Sequence, residues 1–217
     1  MFNKQQYKEF RHALKNGVNP RILENMTAEQ MRETRLAAES NFDLSYFTPD
    51  VSAEKMHAVR NLLLIKAEVD PVFVRSFNAE QLHQIKLGID LGLDVEKYRY
   101  PYLTGGQMHR IRIELLAAKV VNYVKENGLL SIFTIFRTRS DSDVVRYAEK
   151  VIEHIENNNP QQEQAPDIKS YVNEQFIPAI NEVHMDDIHL EEYFISRFIT
   201  VRSNSEMFIL KTTLSRS

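Results

Sequence analysis

The chain contains 217 residues, of which 43% are apolar and 26% charged, and its formal net charge is −3. This composition is ordinary for a folded protein of one or two domains, and the slight negative charge argues against a chain that coats nucleic acid with its whole surface. The sequence has no cysteine, which excludes disulfides and thiolate metal sites. We expect a cytoplasmic protein without membrane contact, because the polar start lacks a signal-peptide core and no apolar run approaches about 18 residues.

Five long helices are predicted in residues 1–127, because the same start signals recur five times. A helix N-cap residue, whose side chain accepts a bond from a free backbone N–H, recurs at spacings of 24, 25, 26 and 26 residues. The third helical position holds glutamine in four of five cases, which completes a capping box, and apolar residues before the cap and at the fourth position form a hydrophobic staple. The caps are Asn3, Thr27, Ser52, Asn78 and Thr104, and the third-position residues are Gln6, Gln30, Lys55, Gln81 and Gln107.

A shorter helix is predicted between consecutive long ones. Pro20 and Pro71 occupy the first helical position after two cap residues, where a missing N–H costs nothing. Neither helix of such a pair can bury its apolar face alone, so neighbouring pairs must stack. The sequence therefore predicts a mainly α fold, with a five-unit helical-repeat domain over residues 1–127 and a core formed by the fourth, seventh and eleventh positions of the long helices. The caps of the short helices are Asn19, Asp43, Asp70 and Asp94.

Two further positions of the long helices are basic or histidine in all five repeats. At about 100° per residue, the fifth and eighth helical positions lie on the same flank of the apolar stripe, with the eighth nearer the core. Stacked repeats would align these ten side chains into one ridge. The fifth-position residues are Lys8, Arg32, His57, His83 and His109, and the eighth-position residues are Arg11, Arg35, Arg60, Lys86 and Arg112.

The ridge admits two interpretations. In the first, each eighth-position cation lays its stem on the core and pairs with a nearby acid such as the capping Asp43, Asp70 or Asp94. In the second, the ridge binds phosphates or an acidic protein surface, which suits the more exposed fifth position better. Its histidines would gain charge near pH 6.5 and strengthen the ridge in acid. Helices stacked about 10 Å apart hold these histidines too far apart to share one metal ion.

Residues 128–217 are predicted to form a smaller α+β or helical region. Residues 129–136 indicate a strand or a buried helical turn, and Ser140 or Asp141 caps a helix that ends near residue 157. The polar, proline-containing stretch near 157–166 is typical of a flexible loop. A helix over 167–183, bent at Pro178, and a C-terminal hairpin over 193–214 complete the region.

The sequence carries no motif of a known catalytic or cofactor site. It has neither a phosphate-binding glycine loop nor a nucleophile elbow nor a zinc-protease motif, so we expect no catalytic residue, no cofactor and no bound metal. The one cluster to weigh lies near the C-terminus and would ligate a hard or borderline cation in a metal-dependent enzyme. Helix capping and solvated surface account for the same residues more simply. They are His184, Asp186, Asp187, His189, Glu191 and Glu192.

Several segments resemble tandem repeats of phage and mobile-element proteins of Gram-positive bacteria. These repeats are built on Gln-Met-x-x-Ile-Arg, then Gly-Leu/Val-Asp-Val-Ser, then Tyr and Pro. The matching segments are Gln30-Met31-Arg-Glu-Thr-Arg35, Gln81-Leu82-His-Gln-Ile-Lys86 with its continuation to Tyr98, and Gln107-Met108-His-Arg-Ile-Arg112, within residues 3–112. The second and third units lack the loop glycine. The resemblance implies a setting in which small proteins often disarm host defences, including CRISPR nucleases.

These observations lead to three functional hypotheses. The first is a non-enzymatic adaptor or inhibitor, encoded by a phage or mobile element, that binds a host protein or ribonucleoprotein such as a CRISPR nuclease through its repeat surface. The second is a direct nucleic-acid-binding protein that uses the basic ridge. The third is the metal-dependent enzyme. The sequence favours the first.

Overall fold

The computed structural model describes residues 2–129, 140–158, 167–180 and 182–183. These ranges are mainly helical and contain no strand, which confirms the predicted mainly α class. The strand predicted over 129–136 lies almost wholly outside them, as does the loop predicted near 157–166, and the C-terminal hairpin lies entirely outside. The helices are α1 (Lys4–Lys15), α2 (Ala28–Glu39), α3 (Ala53–Leu64), α4 (Pro71–Ser76), α5 (Ala79–Asp90), α6 (Gly105–Glu126), α7 (Asp141–Asn158), α8 (Ile168–Ser170) and α9 (Ile177–Ile180), with 3-10 turns at Pro20–Leu23, Leu44–Tyr46 and Val95–Lys97 and a π-helical turn at Tyr171–Phe176.

The five long helices α1, α2, α3, α5 and α6 each begin one residue after a predicted cap. In each case the cap side chain accepts a hydrogen bond from the backbone N–H of the third helical residue. The four glutamine capping boxes form both of their bonds, whereas Lys55 returns none to Ser52. The predicted starts of the long helices are therefore confirmed, because local capping chemistry alone fixes them.

The connecting segments are shorter than the long helices, and three of the four are single 3-10 turns. Asn19 and Asp43 cap two of these turns, and Asp70 caps α4. Asp94 also stands at the predicted N-cap position, before the Val95–Lys97 turn, but its side chain makes no capping hydrogen bond. At the other end of the chain, Ser140 is the residue that caps α7, since its hydroxyl accepts from the N–H of Asp143.

Two residues after the last residue of each long helix stands a residue with positive φ, between 56° and 77°. In the first four, the N–H of the next residue bonds back to the carbonyl five positions earlier, as from Val18 to Ala13, which is the Schellman arrangement. Glycine adopts this backbone without cost, and asparagine tolerates it. After α3 this position is occupied by Lys66, and lysine adopts positive φ less readily than glycine or asparagine. The five residues are Gly17, Asn41, Lys66, Gly92 and Gly128.

Two groups of buried apolar residues form the core, and α6 contributes to both. The first lies among α1 to α6, where every fourth-position residue from α2 onwards is fully buried. The second joins the C-terminal half of α6 to α7 and to residues 171–179, with Val120 and Val124 packed among the same residues as Val151 and Ile152. Leu115 packs against both groups. The predicted division of the chain after residue 127 stays a prediction.

The segment after residue 167 contains the predicted helix but not as a regular α-helix. Asp167 caps it, and Tyr171–Phe176 form a π-helical turn directly before Pro178. Proline has no N–H to donate, and its ring clashes with the carbonyl four residues earlier. A widened turn relieves that clash, and such insertions are a known way for a helix to accommodate it. None of the described helices combines the length and the apolar character needed to cross a membrane.

Gly88 in the middle of α5 is required by a neighbouring tyrosine. The Tyr98 hydroxyl donates to the Gln84 carbonyl at 3.1 Å, and burial raises the pKa of Tyr98 to about 12. A Cβ at position 88 would fall far inside contact distance of that hydroxyl. Because the ring of Tyr98 fills this space, glycine is the residue that fits despite its low helix propensity.

We predict that Gly88→Ala lowers the free energy of unfolding by about 1–3 kcal/mol, since overpacking shifts Tyr98 and breaks its hydrogen bond. Gly106→Ala is the control, because nothing lies near a Cβ there, and it should gain up to about 1 kcal/mol from helix propensity. Adding Tyr98→Phe to Gly88→Ala should cost less than the sum of the two single changes. Urea denaturation measures all four values, and strict additivity would contradict this account.

Candidate binding surface

The ten ridge residues lie in two columns that run across the stacked long helices. The neighbouring pairs are α1 with α2, α2 with α3, α3 with α5 and α5 with α6. We call the eighth positions the inner column and the fifth positions the outer column. From α2 onwards the inner column is buried or half-buried, whereas the outer column is exposed except for the half-buried His109. The members are Arg11, Arg35, Arg60, Lys86 and Arg112 for the inner column and Lys8, Arg32, His57, His83 and His109 for the outer column.

Three arginines of the inner column hold adjacent repeats together. Each donates from Nε to the residue at the sixth helical position of the preceding long helix. Arg35 donates to Glu9 at 3.1 Å and Arg60 donates to Glu33 at 2.8 Å. Arg112 donates to the amide oxygen of Gln84 at 2.8 Å. The inner column is therefore a ladder between repeats, and each rung joins position eight to position six.

The other two inner-column cations show why a rung needs both partners. The sixth position of α3 is Ala58, which offers no acceptor, and Lys86 turns to Asp90 in its own helix. Arg11 has no preceding helix in the array and lies over the ring of Tyr7 at 5.9 Å. The suggestion that the cations pair with the capping aspartates was wrong. For Arg35 and Arg60 the paired acid lies instead at the sixth position of the preceding long helix, because the stacking places that position beside each arginine.

Arg112 is the most deeply buried of the ten, with none of its side chain exposed. Besides Gln84, it donates from Nη2 to both carboxylate oxygens of Glu156 on α7 at 2.9 Å. It thereby ties the fifth repeat to the C-terminal region. Its Nη1 and the hydroxyl of Tyr171 are buried without a hydrogen-bond partner among the described residues. Desolvation raises the pKa of that phenol, and the charge of Glu156 raises it further.

The outer column carries its unneutralised charge at the N-terminal end. Lys8 and Arg32 form no ion pair within the described ranges. His57 lies 3.4 Å from a carboxylate oxygen of Glu33, and His109 lies 3.7 Å from Glu156. These two carboxylates already serve inner-column arginines. Two permanent cations and His83 therefore face solvent without a carboxylate beside them.

His83 departs from the expectation that all three histidines charge near pH 6.5. Desolvation lowers its pKa, although part of the ring stays exposed, and the charges of Arg112 and Lys86 lower it further. Glu156 acts in the opposite direction and does not outweigh them. Mild acid consequently adds less charge at this point of the ridge than the sequence predicted.

The capping glutamines have a second role that the sequence analysis missed. The side-chain amides of three of the four donate to backbone carbonyls just before the next long helix. Gln6 donates to Met26 at 2.9 Å, Gln30 donates to Val51 at 2.7 Å, and Gln81 donates to Leu103. Each acceptor immediately precedes a helix cap. The signal was present in the recurrence of glutamine itself, because glutamate would complete a capping box equally well but has no N–H to donate.

No family model, curated protein or solved structure matches the chain. The described residues contain no group of three or more histidines and acids placed to hold a metal ion. The cluster between His184 and Glu192, to which the metal hypothesis belongs, lies outside those residues. The ridge is therefore the candidate site for which the structure supplies geometry.

We predict that Arg112→Met lowers the free energy of unfolding by about 2–4 kcal/mol, because Gln84 and Glu156 lose the charged donor that they share. Arg110→Met is the matched control, since Arg110 is exposed two residues away in the same helix and should cost no more than about 0.5 kcal/mol. Urea denaturation of both variants gives the comparison. Equal costs would mean that the buried bonds of Arg112 contribute nothing to stability.

We predict that Lys86→Met raises the pKa of His83, since one of the cations that disfavour ring protonation is removed. Lys97→Met, at an exposed position on the Val95–Lys97 turn, should leave it unchanged. Because folding lowers this pKa, the neutral ring stabilises the fold above about pH 6.5, and that contribution is lost as the pH falls through the folded value. NMR titration of the ring tests the shift, and an unchanged pKa in the Lys86 variant would contradict the assigned cause.

Proposed function

We propose that the chain is a non-enzymatic scaffold that binds an acidic surface of a host protein or ribonucleoprotein through the outer column. The observation that supports this most directly is that the inner column bonds within the fold, whereas the outer column is largely exposed. From α2 onwards the inner column is engaged in bonds within the fold. The outer column lies on the same helices, and four of its five side chains are exposed to solvent.

The distribution of charge favours a protein surface over a nucleic-acid backbone. Among the outer-column residues only Lys8 and Arg32 are permanent cations, and His83 resists protonation. Two phosphate contacts would give a salt dependence of only about −2 on a log–log scale, whereas specific DNA-binding proteins commonly make about 6–10 such contacts. A few cations beside polar and apolar surface suit the rim of a protein interface, where charge directs orientation and association rate.

The resemblance of the repeats gives this proposal its setting. We place the chain in the cytoplasm, as an adaptor or inhibitor encoded by a phage or mobile element. A CRISPR defence nuclease is the kind of host ribonucleoprotein that such a protein would act on. Direct binding of RNA or DNA by the ridge is the second candidate, and the ten aligned basic or histidine positions are the feature that favours it.

We predict that Lys8→Glu combined with Arg32→Glu lowers retention of the partner on the order of tenfold. Both side chains are exposed and unpaired, so folding should change by no more than about 1 kcal/mol. The matched control is Arg75→Glu combined with Arg146→Glu, which alters the formal charge by the same amount at exposed positions away from the outer column. The measurement is affinity capture from lysate of the native host, with and without nuclease, alongside a salt series with RNA and DNA oligonucleotides.

The outcomes separate the candidates. A partner that survives nuclease and is lost only in the outer-column variant supports protein recognition. Direct oligonucleotide binding that falls steeply with salt, and disappears in the same variant, supports the nucleic-acid alternative instead. Equal retention by parent, variant and control would contradict the assignment of the site, because the outer column would then be only a solvated edge.

A further inference from the structure

The first long helix has an exposed face whose counterpart in every later long helix is buried or half-buried. This face consists of the first, fourth, eighth and eleventh helical positions, and in α2, α3 and α6 its eighth-position arginine donates to the preceding long helix. In α1 all four positions are exposed among the residues that the structure describes. We call these four residues the open face of α1. They are Lys4, Tyr7, Arg11 and Leu14.

Burial shows how strongly the fold otherwise covers this face. The fourth-position side chain is 0% exposed in all four later repeats, while Tyr7 is 57% exposed. Leu14, at the eleventh position, is 40% exposed, and its four counterparts are all half-buried. The open face therefore presents apolar area of a kind that this fold packs against a helix. The buried counterparts of Tyr7 are Met31, Met56, Leu82 and Met108.

The charges on the open face indicate what a covering helix should carry. In α2 and α3, the eighth-position arginine donates a hydrogen bond to a carboxylate at the sixth position of the preceding helix, as Arg60 does to Glu33. The second position of the preceding helix lies against the first position of the next, as the Glu80 side chain lies against Gly105. In α1 the first position is Lys4 and the eighth position is Arg11. A covering helix would match both cations with carboxylates four residues apart.

A second copy of the chain does not satisfy this requirement. Helix α1 carries four lysines and arginines and one glutamate, a formal charge of 4 − 1 = +3, so two open faces would repel each other. In a head-to-tail stack, the sixth position of α6 would meet Arg11, and that position holds the exposed Arg110. Like charges would again oppose each other. The charges therefore favour an acidic helix of another protein over a second copy of this chain.

We propose that the open face of α1 is a docking site for an acidic amphipathic helix of a partner protein, seated where a preceding repeat would lie. Two of its carboxylates, at positions i and i+4, pair with Lys4 and Arg11. Its apolar side chains cover Tyr7 and Leu14, releasing Arg11 from its contact with the Tyr7 ring. This surface adjoins Lys8, the first member of the outer column, but it is formed by other residues and does not depend on the function proposed for that column.

The chain supplies its own probe for this site. A synthetic peptide with the sequence of residues 27–51, acetylated and amidated, has a formal charge of −3 and carries Glu29 and Glu33 four residues apart. Titrated into the ¹⁵N-labelled full chain, it should shift the backbone signals of Tyr7, Arg11 and Leu14. A peptide with Glu29→Lys and Glu33→Lys should show no such shifts, because the same helix then carries the wrong charges.

A charge exchange tests the pairing itself. Arg11→Glu in the full chain should weaken the parent peptide at least tenfold, and a peptide with Glu33→Arg should recover binding to that variant. Arg110→Glu is the matched control and should bind the parent peptide as the unaltered chain does. Arg32→Glu, an outer-column change on α2, should also keep most of its affinity, which separates this site from the outer column.

Four results would overturn the proposal. One is the absence of any peptide binding, which would make the open face a charged cap that keeps the end of the array soluble. Another is a set of shifts centred on Ala13, which would mean that the peptide displaces α2. A third is an Arg11→Glu variant that fails to recover with the exchanged peptide. The last is a single-stranded RNA oligonucleotide that competes for Tyr7 and Arg11 with steep salt dependence, because the face would then recognise phosphates.

Discussion

The hydrogen-bonded contact between position eight of one long helix and position six of the helix before it organises the rest of this structure. Its rungs join residues 26, 27 and 28 apart in sequence, so each rung closes one repeat against its neighbour. A guanidinium offers donors in a fixed planar arrangement. The rung therefore fixes the register of the two helices as well as their proximity. The fifth helical position lies on the same flank of each helix as the eighth but further from the core. The stacking that forms the ladder therefore also aligns the side chains of the outer column.

Such rungs act more on register than on net stability. A largely buried ion pair loses hydration that its attraction only partly returns, but an unpaired partner is costly, so misregistered stacking is disfavoured. The capping glutamines also fix the position of one long helix against the next, because their amides donate to the carbonyls just before the next helix cap. The junction between α3 and α5 has neither device, since Lys55 replaces the glutamine and Ala58 the acceptor. Apolar packing among Val59, Leu82 and their neighbours holds that junction instead.

Much of this fold could be predicted because its signals are local. Caps and staples lie within a few residues of each other, and they located the starts of all five long helices. The partners of the ridge could not be found in the same way, because Glu9 lies 26 residues from Arg35 and only the stacking of repeats joins them. Glu156 is 44 residues from Arg112 and outside the repeat period altogether. Periodicity predicted the two columns and their unequal burial, but a contact between elements depends on how far each helix is shifted along its neighbour.

The two ends of the array are closed by different means, which gives it a direction. At the C-terminal end α6 is longer than the other long helices, and α7 packs against the extra length. Glu156 on α7 accepts hydrogen bonds from Nη2 of Arg112. The half of α6 that has no later repeat beside it presents polar residues such as Gln107 and Arg110 to water. At the N-terminal end no element covers α1 among the described residues. A terminal repeat needs a polar outer face to stay soluble, and the lysines of α1 meet that need. Solubility alone does not call for an aromatic ring at the one position that is fully buried in every later repeat. Tyr7 keeps an apolar body and a polar tip at that position, which suits a surface that is wet when free and covered when bound.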